Sequence, residues 1–311
     1  MKRFVIWYII ACSIAYCTTI SAHPTTDSPL RILAIDNSFS DDGMEYLPAL
    51  LDNLGVEDVE VARLYVGGCS LQQHLSFHKQ QKSPYVFNRS QAGENRWVEH
   101  KSTISLQYAL SLGEWDIITL QQQSGKSGLY ESYEPHLGEL IKIIKEYQPS
   151  ARIAWHMTWS YSTNSTHGEF PKYDRNSDKM LDAIYNATRQ ATEAHPELEI
   201  IIPAGTAIQS LRWSAINNHP QDLTRDGYHM GFGAGRYALA CTWYEELIAP
   251  YTGISMRGNT LFINKGMVAV TPITAAYCQK AAKNAVRKNF TPKKVTKTKS
   301  ILRKIEQNTK R

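Results

Sequence analysis

Five short apolar runs, at residues 30–36, 59–66, 116–120, 151–157 and 198–202, are separated by stretches long enough to form helices. This alternation constrains the fold more than any other feature of the chain. Parallel strands need a crossover of a dozen or more residues between them, usually a helix. Runs that stay apolar, rather than alternating in and out, mark strands covered on both faces. The pattern predicts an α/β protein, a three-layer α/β/α sandwich around a central, mostly parallel five-stranded sheet. Helices are expected near residues 43–53, closed by Gly55, and near 136–147, 177–194, 205–214, 235–248 and 272–288. Residues 78–100 break the rhythm. The segments 85–89 and 96–100 flank Ala92-Gly93 and read as a hairpin.

The ends of the chain differ from its body. Lys2 and Arg3 precede an apolar stretch from residue 4 to 16, and Ile20-Ser21-Ala22 offers a small residue for cleavage. Residues 1–22 therefore read as a secretory signal peptide, which implies a secreted or periplasmic protein of a bacterial envelope. No other segment is long and apolar enough to span a membrane. The net charge of +5 hides an uneven distribution. Residues 280–311 hold twelve Lys and Arg against the single acid Glu306, while residues 23–279 hold 20 bases against 28 acids. The body is acidic and carries no nucleic-acid signature. The basic segment from 290 to 311 is expected to be disordered and to contact anionic envelope polymers or the acidic body itself. Three cysteines remain after cleavage, Cys69, Cys241 and Cys278, too few for a disulfide framework. His74 and His78 lack the intervening Glu of a zinc protease motif and read as surface residues, so no metal site is expected.

In open α/β sheets ligands bind beyond the carboxyl ends of the strands. The residues there are Asp36-Asn37-Ser38, Gly67-Gly68-Cys69-Ser70, Gln121-Gln122-Gln123-Ser124, and Trp155-His156-Met157-Thr158-Trp159. Further along come Asp226-Gly227-Tyr228-His229. A hydroxyl, a glycine turn, an amide donor and an Asp-x-x-His pair are the parts of a serine hydrolase. Each has a plainer use. Ser38 fits a capping box with Asp41, Gly67-Gly68 a simple turn, and His229 a structural histidine.

Taken in order, these blocks resemble the SGNH (GDSL-type) hydrolase superfamily. The phrases Gly67-Gly-Cys-Ser-Leu71, Pro203-Ala-Gly-Thr-Ala-Ile-Gln209 and Leu223-Thr-Arg-Asp-Gly-Tyr-His229 extend the likeness to a branch of secreted bacterial SGNH-like proteins of unassigned activity. It covers residues 30–250, leaving 251–289 as an extension whose helix packs on that domain. The resemblance implies a flavodoxin-like SGNH fold, with Ser38 as nucleophile, His229 as base and Asp226 as its partner. It places Ser38, Gly68 and Gln123 in the oxyanion hole and calls for no metal or cofactor. Asp36 stands where the family has Gly, Asn37 where it has Asp, and Gln123 where it has Asn. If the Asp36 charge faced the site, it would oppose a developing oxyanion.

The implied activity is an exported serine esterase that hydrolyses acyl esters, O-acetyl among them, on carbohydrate. Trp159 and Tyr161 are candidates to stack on a sugar ring, although Trp159 suits the core equally well. The alternatives are a non-catalytic glycan-binding protein on the same scaffold, motivated by Asp36, a lipase-like esterase, and an envelope protein acting through its basic tail.

Overall fold

The computed structural model describes residues 28–296. The predicted signal peptide (1–22) and most of the basic tail, from 297 onward, lie outside the described residues. The strands are β1 (Leu30–Asp36), β2 (Val59–Tyr65), β3 (Tyr85–Ser90), β4 (Val98–Ile104), β5 (Ile117–Leu120), β6 (Arg152–His156) and β7 (Leu198–Ile202). They form one seven-stranded sheet in the order β4-β3-β2-β1-β5-β6-β7. Strands β2, β1, β5, β6 and β7 run parallel, and they are the five apolar runs of the sequence. The predicted hairpin, β3–β4, does not stand apart. It pairs antiparallel with β2 and widens the sheet from five strands to seven.

The helices are α1 (Ser38–Met44), α2 (Leu47–Leu54), α3 (Leu71–Lys79), α4 (Leu106–Leu110), α5 (His136–Tyr147), α6 (Ser177–Ala194), α7 (Ala204–Arg212), α8 (Ala234–Trp243), α9 (Ala249–Thr252) and α10 (Pro272–Arg287). Helices α1, α2, α7, α8 and α10 pack into one layer, while α3, α4 and α5 pack into another. The central strands are covered on both faces. Ile32, Leu33, Ala34 and Ile35 of β1 are fully buried, as are Ile118 and Leu120 of β5 and Ile153 and Ala154 of β6. Each large aliphatic side chain so buried contributes about 1.5–3 kcal/mol.

Four local expectations are corrected. The helix expected at 43–53 is two helices, α1 and α2, because Pro48 can sit only in a first turn and so starts a new helix after Tyr46. Gly55 does close α2 in the left-handed conformation. The helix expected to reach 248 ends at Trp243 and continues as a π-helical turn, Tyr244–Ile248. His74 is buried rather than exposed. Its ring stacks on Tyr85, its Nδ1 lies 2.9 Å from the Tyr85 hydroxyl, and burial lowers its pKa to about 3. The start of the basic tail is packed: Phe290 meets Tyr185 edge-on, the Lys293 amide donates to Ser210 Oγ at 3.0 Å, and Val295 is buried.

Candidate functional site

From β1 the chain steps left to β2 and later right to β5, so the sheet has a switch point at the β1–β5 seam. The strands' carboxyl ends there carry Asp36-Asn37-Ser38 and Gln121-Gln122-Gln123. Asn37, not Ser38, caps α1. Its Oδ1 accepts from the Phe39 amide at 3.0 Å. That places Ser38 at the first helical position with its hydroxyl free of capping duty, and Oγ lies 2.8 Å from His229 Nε2.

His229 Nδ1 lies 2.7 Å from Asp226 Oδ2. Asp226 Oδ1 also accepts from the amides of His229 (2.8 Å) and Tyr228 (3.2 Å), so the carboxylate folds its own loop around itself. Burial alone would raise the Asp226 pKa. The hydrogen bonds from the His229 ring and from the His229 and Tyr228 amides outweigh that and hold the carboxyl below its ordinary value. With an ionised Asp226 accepting at Nδ1, His229 carries its proton there, and Nε2 is left to accept from Ser38. Gly227 turns the loop at φ +96°, a conformation that favours glycine.

The loop is held from three sides. Trp159 Nε1 donates to the Tyr228 carbonyl at 2.7 Å. Ser162 donates to the Gly227 carbonyl through its amide (2.8 Å) and its hydroxyl (3.1 Å). Asp42 of α1 accepts from the Met230 amide at 2.7 Å and from Arg225 at 3.0 Å, and Arg236 lies 2.6 Å from it. One buried carboxylate thus ties the helix bearing Ser38 to the loop bearing His229.

On the other side, Gly68 is exposed and adopts φ +63°. Neither its amide nor that of Ser38 makes a hydrogen bond among the described residues. Three side chains join this loop to its neighbours. Asn37 Nδ2 donates to the Cys69 carbonyl at 2.8 Å. Gln122 Oε1 accepts from the Leu71 (3.1 Å) and Gln123 (2.9 Å) amides. Gln121 donates to Asn37 at 2.6 Å while accepting from Ser40 (3.0 Å) and from the His156 ring (2.8 Å). Burial lowers the His156 pKa to about 3, so that ring is a neutral member of the network. Gln123 turns its amide toward Glu169, 2.7 Å away, and its Oε1 accepts from the Lys126 amide, which fixes the amide's orientation.

The structure overturns one expected placement, Tyr161, and decides two that the sequence left open, Trp159 and Asp36. Trp159 and Tyr161 are fully buried and offer no face to a sugar. Trp159 stacks on Phe39 with centroids 4.2 Å apart, and the Tyr161 hydroxyl lies 2.9 Å from Ser124 Oγ. Both sit beneath the loops of the site instead of lining it. Asp36 is fully buried with no hydrogen-bond partner for either oxygen among the described residues. Burial raises its pKa well above the carboxylate range, further than the nearby Arg63 charge lowers it. The carboxyl is enclosed within the protein, where burial disfavours its charged form.

The sequence placed Gln121 and His156 at strand ends without giving them a role, and it missed Asp42, Arg225, Arg236 and Glu169. Arg225 precedes Asp226 directly, but nothing local pairs it with Asp42, 183 positions away. Cys69, Cys241 and Cys278 are buried, unpaired thiols. Among the described residues no group of His, Cys, Asp or Glu is arranged to hold a metal, and no helix is long and apolar enough to cross a membrane.

A family model described as a domain of unknown function, DUF4886, matches residues 31–276. The crystal structure of a DUF4886 family protein from Bacteroides uniformis is 33% identical, with a TM-score of 0.78, and covers 86% of this chain and 98% of that one. Two more distant likenesses are a Slackia heliotrinireducens protein described as a candidate SGNH hydrolase and an acetyl-xylooligosaccharide esterase from Geobacillus. The first is 19% identical with a TM-score of 0.49, over 70% of this chain and 99% of that one. The second is 12% identical with a TM-score of 0.46, over 71% and 94%. No curated protein matches the chain. The family match runs from β1 into α10 and so takes in both the Ser38 turn and the Asp226–His229 loop; the chain belongs to the DUF4886 family.

Proposed function

We propose that this protein is an exported serine esterase acting on acyl esters of carbohydrate. The observation that carries the reading is the unbroken series Ser38 Oγ, His229 Nε2, His229 Nδ1 and Asp226 Oδ2, with steps of 2.8 and 2.7 Å across the ring. In the acylation step His229 Nε2 takes the Ser38 proton as Oγ attacks the ester carbonyl. Asp226 holds the tautomer and stabilises the imidazolium. The carbonyl oxygen becomes an oxyanion, which the unpaired amides of Ser38 and Gly68 and the second N–H of Gln123 are available to receive. Collapse expels the alcohol, which leaves with the proton from His229. Water then attacks the acyl-Ser38 ester by the same route, releasing the acid and restoring the hydroxyl.

The carbohydrate part of the reading rests on the polar character of these loops and on export, the latter argued from residues 1–22. The reaction class is tested with p-nitrophenyl acetate. Wild type should hydrolyse it, and Ser38→Ala and His229→Ala should each lower kcat by at least about 10³-fold while leaving the thermal midpoint intact. Equal rates in wild type and Ser38→Ala would remove the esterase reading.

A further inference from the structure

Trp213 follows α7 with 46% of its surface exposed. It lies between two cavities. One, about 320 Å³, runs from Trp213 past Asn217 and Asp222 to Thr163. The other, about 560 Å³, runs from Trp213 past Asp182 and Arg189 to Phe290. Asp178 and Gln209 line both, so the two form one groove divided by the indole. Each volume falls within the roughly 300–1,000 Å³ of small-ligand sites.

The lining restricts what the groove can hold. Its formal charges balance, with Asp178, Asp182 and Asp222 against Arg175, Arg189 and Arg212, so neither a polyanion nor a polycation is favoured. Its apolar lining is mostly rings, Tyr185, Trp213, Phe290 and Pro292, with Leu181 the one open-chain aliphatic side chain, a better match to the flat face of a sugar than to an acyl chain. The remaining polar side chains mix donors with acceptors, and some capacity is unspent. Asn217 Oδ1 is buried without a hydrogen-bond partner among the described residues, and Gln209 reaches Asp178 only at 3.4 Å. An aromatic face beside amides, carboxylates and guanidinium groups, at zero formal net charge, suits a neutral molecule with hydroxyls on its rim and C–H groups on its faces.

The groove also adjoins the Ser38 site. Thr163 at its end follows Ser162, which donates to the Gly227 carbonyl inside the Asp226–His229 loop. Arg212 in its wall donates to the Ser160 carbonyl at 2.9 Å and to the Asp222 carbonyl at 3.2 Å.

We propose that the Trp213 groove is a glycan-binding subsite that holds a stretch of neutral polysaccharide and delivers a neighbouring ester to Ser38; the delivery, though not the binding, rests on the esterase reading. Binding is therefore measured without turnover, on protein carrying Ser38→Ala, by calorimetric titration with unacylated tetrasaccharides of xylose, glucose and N-acetylglucosamine. At least one should bind. Adding Trp213→Ala should weaken it about tenfold or more, equivalent to about 1.4 kcal/mol. Trp213→Phe, which keeps an aromatic face, should stay closer to the parent. The side chain is exposed, so a matching thermal midpoint is expected and separates lost binding from lost fold. Failure of all three sugars to bind, or unchanged affinity in Trp213→Ala, overturns the subsite. Phosphonate labelling of wild type keeps the two readings apart: a labelled Ser38 with no glycan binding removes the subsite and leaves the esterase standing.

Discussion

Asp36 shows how position within a strand decides what a side chain does. A carboxylate one residue before the Ser-bearing turn would oppose an oxyanion if it faced the site. It is the last residue of β1, fully buried, and burial favours its protonated form. Its raised pKa has a defined consequence for stability. Above the ordinary value of 3.8 the unfolded chain loses this proton while the folded chain keeps it, so stability falls as pH rises through that window. Asp36→Asn removes the titration without changing the shape. Its stability relative to wild type should improve steadily from pH 4 upward, as read from denaturation midpoints, and its esterase rate at neutral pH should stay within about threefold. A rate loss of two orders of magnitude would mean that the carboxyl takes part in the chemistry. Ser38, Asp226 and His229 were legible because each sits at a chain landmark: a strand end, a turn signal, a three-residue spacing. Tyr161 was misassigned, and Trp159 left between core and sugar platform, because residues that follow a strand end lie near the site edge; here the segment after His156, where β6 ends, is a buried loop.

At the scale of elements, the five parallel strands were legible because a strand covered on both faces must be apolar along its length. Helix α3 was not, because its sequence, Leu-Gln-Gln-His-Leu-Ser-Phe-His-Lys, is largely polar and only Leu71, His74 and Leu75 are buried. The contact that aligns the site joins α1 to the Asp226–His229 loop through Asp42, and no local pattern announces a pair so far apart in sequence. Removing one partner of a buried ion pair typically costs about 3–5 kcal/mol. Asp42→Asn should therefore lose stability of that order. Because the Met230 amide follows His229 directly, the folded variant should also show kcat lowered by at least about tenfold with little change in KM. Chemical denaturation and steady-state kinetics check the two halves separately. A destabilised variant with a full catalytic rate would show that Asp42 holds the fold but does not position the base.

The whole molecule divides by charge and by role. The body from residue 23 to 279 is acidic, and its sheet places the candidate site at the strands' carboxyl ends, where the switch point between β1 and β5 opens. The Trp213 groove adjoins that edge through Thr163. The basic C-terminal segment starts on α10 and remains packed as far as Val295, so its charge begins on the folded body and continues beyond the described residues. The central claim concerns one oxygen: Ser38 Oγ is held 2.8 Å from His229 Nε2 to act as a nucleophile. The most direct measurement is intact-mass and peptide mapping after treatment with a fluorophosphonate. Wild type should gain a single adduct, mapped to Ser38, and both Ser38→Ala and His229→Ala should gain none on the same timescale. A wild-type chain that stays unlabelled, or an adduct on any other residue, would contradict the account.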